Sequence, residues 1–313
     1  MMRRQDSSAV VDFHRELLEQ LDLGGLGRCQ IGPTPKSAVD VADAPTRSYI
    51  TNERHEKIAI LFVSNEVSPG LVGRSVDNGI EVKTILGNDL GAVVLDPIAH
   101  GIYRDLSYSI WPLQRDLSSS FLWGRVQRRL LVPRVVDWLE AVARRTLRRN
   151  LNAELTERVY LNPLSAFGKN QQYPAHLTAL ARQALARVQK ETLQPFAVLQ
   201  HSDLWLGNVL LPQRLVDMLH KEHGFYVIDW GGATHSGLPF FDVVRFAASV
   251  RPSRTYFKHI IAQHCGMLAC EMADAKLYLI AALANVGQHL EHFPESRYLA
   301  MCDQTLDLLS SIV

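Results

Sequence analysis

The chain has 313 residues, 47% of them hydrophobic and 21% charged, with a formal net charge of +1. That make-up is globular and carries enough apolar material for a sizeable core, and so even a charge supplies no global field for nucleic acid or a membrane surface. Four cysteines, Cys29, Cys265, Cys270 and Cys302, form no CxxC pair, which argues against a disulfide scaffold and predicts reduced thiols. The run HCGMLAC at 264–270 fits no standard zinc spacing. The N-terminus has two arginines but no apolar core of a signal peptide, and apolar runs such as 277–287 fall short of the roughly 20 residues of a spanning helix. The expectation is a soluble, cytoplasmic protein with no membrane or nucleic-acid partner.

Residues 10–23 place apolar side chains at helical spacing. GGLG at 24–27 ends that helix as turn material, since it lacks both GxGxxG spacing and a preceding strand. Residues 57–64, KIAILFVS, predict a strand, 65–70 a turn, and the alternation in LVGRSVD at 71–77 a second strand closing a hairpin. A short helix is expected over 79–91, then two strands within 92–113 separated by His100 and Gly101. The first third therefore reads as a small antiparallel sheet with one helix inserted. From 121 to 149 the pattern is helical with a break at Pro133, its many arginines marking a solvated face. Residues 174–192 and most of 240–313 are helical as well. The change of character falls near 113–118, giving a β-rich part at 1–115 and a larger, mainly helical part at 116–313. A cleft between two such parts is a common ligand site.

Two apolar stretches are interrupted by polar groups. LQHSDLWLGNVLL at 199–211 carries His201, Asp203 and Asn208, and FYVIDWGGATHSGLPFFDVVRF further on carries Asp229 and Asp242. Carboxylates inside such runs cost several kcal/mol unless something binds them. Asp203 and Asn208 lie five apart and can turn toward one cavity from a tight loop, and a pairing of the two apolar segments would bring Asp229 beside them. An amide oxygen, a carboxylate and phosphate oxygens form a hard site that suits Mg²⁺.

HSDLWLGN resembles the HxDxxxxN loop of the aminoglycoside phosphotransferase and choline kinase-like families, relatives of protein kinases. VIDWGGATHSGLPFFD resembles the block that follows it there, in the right order and at a believable distance. The resemblance implies an α+β, two-lobed, protein-kinase-like fold, with a small antiparallel N-lobe and a larger helical C-lobe. It also implies roles: Asp203 receives or orients the proton of the acceptor hydroxyl, and Asn208 and Asp229 hold Mg²⁺ against ATP. His201 braces the loop, and Asp242 hydrogen-bonds it from the next helix. Asp242 can alternatively be read as a simple helix cap. Two departures stand out: Ser202 where the family usually has glycine, and Trp205 where it often has histidine. Trp205 and Trp230 read more naturally as packing residues, and His235 is left without a role.

The first lobe matches less closely. The family expects a strand lysine that reaches the phosphates and pairs with a helix glutamate. The hairpin reading puts Arg74 there with Glu81 as partner, and Lys57 and Lys83 are the alternatives; arginine keeps the charge but not the compact ammonium. Adenine is expected along 108–114. The activity implied is ATP- and Mg-dependent transfer of the γ-phosphoryl group to a hydroxyl of a small molecule, whether a sugar, an amino sugar or an amino alcohol. The alternatives are a nucleotide-binding pseudokinase and, more remotely, a metal-dependent hydrolase built on His201, Asp203 and Asp229, which lacks the histidine ligands such a centre usually has.

Overall fold

The computed structural model describes residues 7–21, 28–32, 42–214 and 223–313. The GGLG run at 24–27 lies outside them. The N-terminal part is a five-stranded antiparallel sheet in the order β1-β2-β3-β5-β4, built from β1 (Gln30–Ile31), β2 (Thr46–Thr51), β3 (Lys57–Val63), β4 (Ala99–Tyr103) and β5 (Leu106–Pro112). Its period-2 burial separates two faces. Helix α1 (Ser7–Gln20) covers one of them, packing Leu17 and Leu18 on Ile50, Ala59, Leu61 and Ile110. His14 of α1 sits between Ser48 Oγ at 2.8 Å and Thr46 Oγ1 at 3.0 Å, and burial pushes its imidazole down to about 4, which keeps it neutral.

The other face receives α2 (Leu71–Leu90), helical but for a kink at Gly87, whose φ is +69°. This corrects the expected hairpin: 71–77 is the start of α2, not a strand. Val72 and Val76 are buried together with Gly79, Val82, Leu86 and Leu90, a spacing of three and four that a seven-residue window cannot distinguish from alternation. The sheet itself holds the start of α2, because Val72 N–H donates to Ser64 Oγ at 2.9 Å and Gly73 N–H to Ser107 Oγ at 3.0 Å. The next hairpin also turns elsewhere than expected. His100 and Gly101 lie inside β4, and the β4–β5 turn is Arg104-Asp105, both at positive φ (47° and 65°). At Gly101 the packing is close: a Cβ there would stand 3.1 Å from the Tyr108 hydroxyl oxygen, and the tyrosine would have to give by a few tenths of an ångström.

After the sheet comes α3 (Phe121–Thr146), which runs through Pro133 without stopping. Leu131, Val135, Trp138, Leu139 and Val142 are buried on both sides of that proline, and their packing outweighs the lost hydrogen bond. The short α4 (Ala153–Thr156) leads through one wide turn into α5 (Asn162–Lys169) and α6 (Ala175–Gln189). Two small antiparallel pairs follow: β6 (Val198–Gln200) with β9 (Thr234–Gly237), and β7 (Val209–Leu210) with β8 (Tyr226–Val227). Helices α7 (Phe241–Val250), α8 (Arg254–Leu268), α9 (Ala275–Val286) and α10 (Glu295–Ser310) complete the larger lobe. Its core centres on α9, whose residues from Leu277 to Ala284 are all buried. The four cysteines are unbridged. Among the described residues no helix is long and apolar enough to cross a membrane.

Candidate active site

The segment 201–208 leaves β6 and ends at β7, and nearly every polar group in it has a partner. His201 is buried, its Nε2 3.0 Å from the carbonyl of Ile228 and its Nδ1 3.3 Å from the backbone nitrogen of Asp203. A carbonyl only accepts and an amide N–H only donates, so the ring is a neutral Nε2–H tautomer. Burial lowers its pKa to about 4, which agrees with that state. Asp242, in the first turn of α7, accepts His201 N–H at 2.6 Å and Ser202 N–H at 3.1 Å, one on each carboxylate oxygen. The residue preceding α7 is Phe240, so Asp242 is not the helix cap.

Ser202 has φ +71°, a left-handed conformation that a side chain makes costly. Glycine between His and Asp would remove that cost, which is the physical content of the departure noted in the sequence. Ser202 Oγ partly offsets it by accepting from Gln200 Nε2 at 3.1 Å. Asn208 is buried and donates Nδ2–H to the Asp203 carbonyl at 2.9 Å. This fixes the amide orientation and leaves Oδ1 as the oxygen it can offer.

The second loop is tied to the first. Ile228 N–H donates to the Asn208 carbonyl at 3.0 Å and Ile228 O takes the His201 ring proton. Asp229, next in the chain, is itself left-handed at φ +67°, a conformation that aspartate tolerates better than most residues. Trp230 is buried with its ring centroid 4.5 Å from that of His201. Helix α2 reaches this loop through Asn78, whose Nδ2 donates to the carbonyls of Trp230 and Gly231, each at 3.1 Å.

Burial raises the carboxyls of Asp203 (to about 6), Asp229 and Asp242 (to about 7). At Asp203 the charge of Arg245 opposes the rise and that of Asp229 adds to it. About half the Asp203 side chain (53%) still meets solvent, so water moderates the shift. Arg245 Nη2 stands 3.4 Å from Asp203 Oδ1. Sequence reasoning missed this residue; its signal was the i+3 spacing from Asp242, which puts both on one side of α7.

In the small lobe the expected pairs do not form. Arg74 and Glu81 both lie on α2 and do not meet. Arg74 makes a two-pronged ion pair with Glu291 at 2.8 and 2.9 Å, and Glu81 Oε1 is 3.7 Å from His235 Nδ1. Lys83 pairs with Asp96, and Lys57 lies 3.7 Å over the Tyr49 ring. β3 itself has no basic residue between Ile58 and Val63. Directly across from Phe62, on the α2 side of the sheet shared with Ser107 and Ser109, stands Arg47 of β2. The segment 108–114 is the end of β5 and its exit toward α3. Trp205 is 41% exposed beside Asp203, its ring folded over Gly207.

The donor set fits a hard divalent cation. Asp229 is a carboxylate raised by burial that no cationic side chain among the described residues pairs with, and Asn208 adds a neutral amide oxygen. Among the described residues there is no cluster of three or more His, Cys, Asp or Glu suited to a metal; a cation held by Asp229 and Asn208 would need further ligands beyond these two side chains.

Comparison with solved structures gives the same architecture. The choline kinase LicA from Streptococcus pneumoniae superposes with a TM-score of 0.55 at 12% identity, over 95% of this chain and 99% of that one. A choline/ethanolamine kinase family protein from Mesorhizobium loti gives 0.53 at 11%, over 96% and 94%. Wild-type aminoglycoside 2'-phosphotransferase-IIIa, solved as a GDP complex, gives 0.53 at 12%, over 95% and 97%. At such identities the likeness establishes the two-lobed, kinase-like fold. No curated protein sequence matches the chain. The model of the phosphotransferase enzyme family matches residues 86–270, more than half of the 313 residues and the span that holds both polar loops. The chain is a member of the phosphotransferase enzyme family.

Proposed function

We propose that the protein is an ATP- and Mg²⁺-dependent kinase of a small hydroxyl compound, with its lobes dividing at 115/116. The observation that carries this reading is the bonding of the 201–208 loop, the Ile228–Asp229 segment and Asp242 into one unit that presents Asp203, Asn208 and Asp229. Asp203 receives the proton of the acceptor hydroxyl as its oxygen attacks the γ-phosphorus; ADP leaves. Asn208 Oδ1 and the Asp229 carboxylate would hold Mg²⁺, which when bound neutralises the phosphate charge. His201 and Asp242 keep the loop in shape and touch no reactant. Arg245 keeps Asp203 ionised between turnovers.

For the small lobe we propose Arg47 as the phosphate-facing cation, because it occupies the α2 side of the sheet opposite Phe62. The nucleotide assignment draws support from the kinase-like structures solved with AMP and with GDP. An amino alcohol or amino sugar acceptor is in keeping with the choline kinase and with the aminoglycoside phosphotransferase solved with kanamycin.

A thermal-shift titration tests this. ATP and a non-hydrolysable analogue, each with and without Mg²⁺, should stabilise the wild type in a Mg-dependent way, since a ligand of the folded state raises its apparent stability. The shift should vanish in Asp229→Ala. Asp203→Ala should keep the shift and, on an acceptor found by ATP consumption, lose about a thousandfold or more in kcat. No shift with any nucleotide would overturn the assignment.

A further inference from the structure

The N-terminal end of α3 carries a surface that includes none of the residues proposed for phosphoryl transfer. Leu122, Val126 and Leu130 recur every fourth residue and form one line along the helix. With Phe121 and Trp123 they are 44–77% exposed, and these ten residues of chain hold five of the thirteen large exposed hydrophobics among the described residues. Soluble surfaces seldom gather apolar side chains this way without a partner. Gly124, Gln127 and Leu131 turn the opposite side of the helix into the protein.

Beside the apolar line runs a basic one. Arg125, Arg128 and Arg129 are exposed, and none enters an ion pair among the described residues; Arg125 lies 5.9 Å over the Phe121 ring. No Asp or Glu occurs between Asp116 and Asp137. The net charge of +1 for the whole chain conceals this local concentration.

A second copy of the chain is a poor occupant. Two-fold pairing through this patch would set each arginine row against its own image with no acid to answer it. An anionic lipid surface answers both halves, because the acyl boundary takes the apolar line while guanidinium groups on long stems reach the headgroups. Aromatic residues such as Phe121 and Trp123 favour that boundary. We propose that residues 121–130 dock the protein peripherally on an anionic membrane. The far end of α3 is bonded to the site region, Thr146 Oγ1 accepting from Leu199 N–H of β6 at 2.9 Å, so docking would fix how the cleft faces the bilayer. Docking at α3 needs no turnover, and its test reads binding alone.

The test is co-sedimentation of the full chain with vesicles of phosphatidylcholine doped with phosphatidylglycerol, against phosphatidylcholine alone, at low and high salt. Wild type should bind the anionic vesicles and release with salt. Arg128→Gln/Arg129→Gln should bind roughly 30-fold more weakly, given about fivefold per basic residue near the surface. Leu122→Gln/Val126→Gln should also lose binding; both variants change exposed positions and should keep the wild-type melting temperature. Absence of wild-type binding at low salt, or binding that survives both variants, would overturn the proposal. So would light scattering that shows a dimer disrupted by Leu122→Gln/Val126→Gln in a protein that ignores vesicles, since the patch would then belong to a second copy.

Discussion

Arg245 holds its guanidinium 3.4 Å from the Asp203 carboxylate, joining the first turns of α7 to the loop that carries the proposed base. The contact opposes the effect of burial, so its removal should raise Asp203 further above about 6. A base works only when ionised, and activity should rise with pH through that value. In Arg245→Gln the acidic limb of kcat/KM should move upward by about one pH unit. A pH–rate profile of both proteins checks this, and an unmoved limb with a uniformly lower rate would assign Arg245 a purely structural part.

Ser202 offers a comparison of two small residues. Ser202→Gly relieves the left-handed backbone, whereas Ser202→Ala keeps the strain and loses the bond from Gln200. The glycine variant should be more stable than the alanine variant by about 1 kcal/mol in denaturant unfolding. Equal stabilities would mean that the loop relaxes away from φ +71° at no cost.

Asp242 accepts two N–H groups with two oxygens, and asparagine has one oxygen to offer. Asp242→Asn leaves one donor facing an amide and should cost about 1–3 kcal/mol, with a fall in kcat as the loop loosens. The folded-state pKa of Asp242 lies above its unfolded value. Its contribution to stability is therefore full below about 4 and is lost as pH rises through about 7. The gap in melting temperature between wild type and Asp242→Asn should narrow across that interval. A constant gap would place the Asp242 pKa in the ordinary carboxylate range.

Arg47 and Arg74 can be separated by the same nucleotide titration. Arg47→Gln should weaken the Mg-ATP shift about tenfold in concentration. Arg74→Gln and Glu291→Gln should behave alike, each losing at most about 1 kcal/mol of stability, because an exposed pair is worth little. An Arg74→Gln variant that loses nucleotide binding while Glu291→Gln keeps it would return the phosphate contact to Arg74.

The two polar blocks were legible because Asp203, Asn208, Asp229 and Asp242 break apolar runs where only a purpose offsets the cost. The β3 strand and the main helices were legible from periodicity. The start of α2 was not, since Leu71 to Asp77 satisfies a strand and a helix equally well, and Ser64 and Ser107, which decide between them, are distant in sequence. Nor was the place of Arg47, which depends on β2 pairing with β3 in one register out of several. The role of Arg245 was not legible either, because its contact with Asp203 exists only once α7 lies against the loop.

Asn78 gives the small lobe a mechanical hold on the large one. Its single amide grips two successive carbonyls just after Asp229, in a loop already riveted to the 201–208 segment through Ile228. A tilt of α2 would therefore be passed to the segment that carries Asp229 and, through Ile228, to the loop bonded to it. Were the small lobe to move over the proposed nucleotide, this one amide would couple that movement to the proposed site.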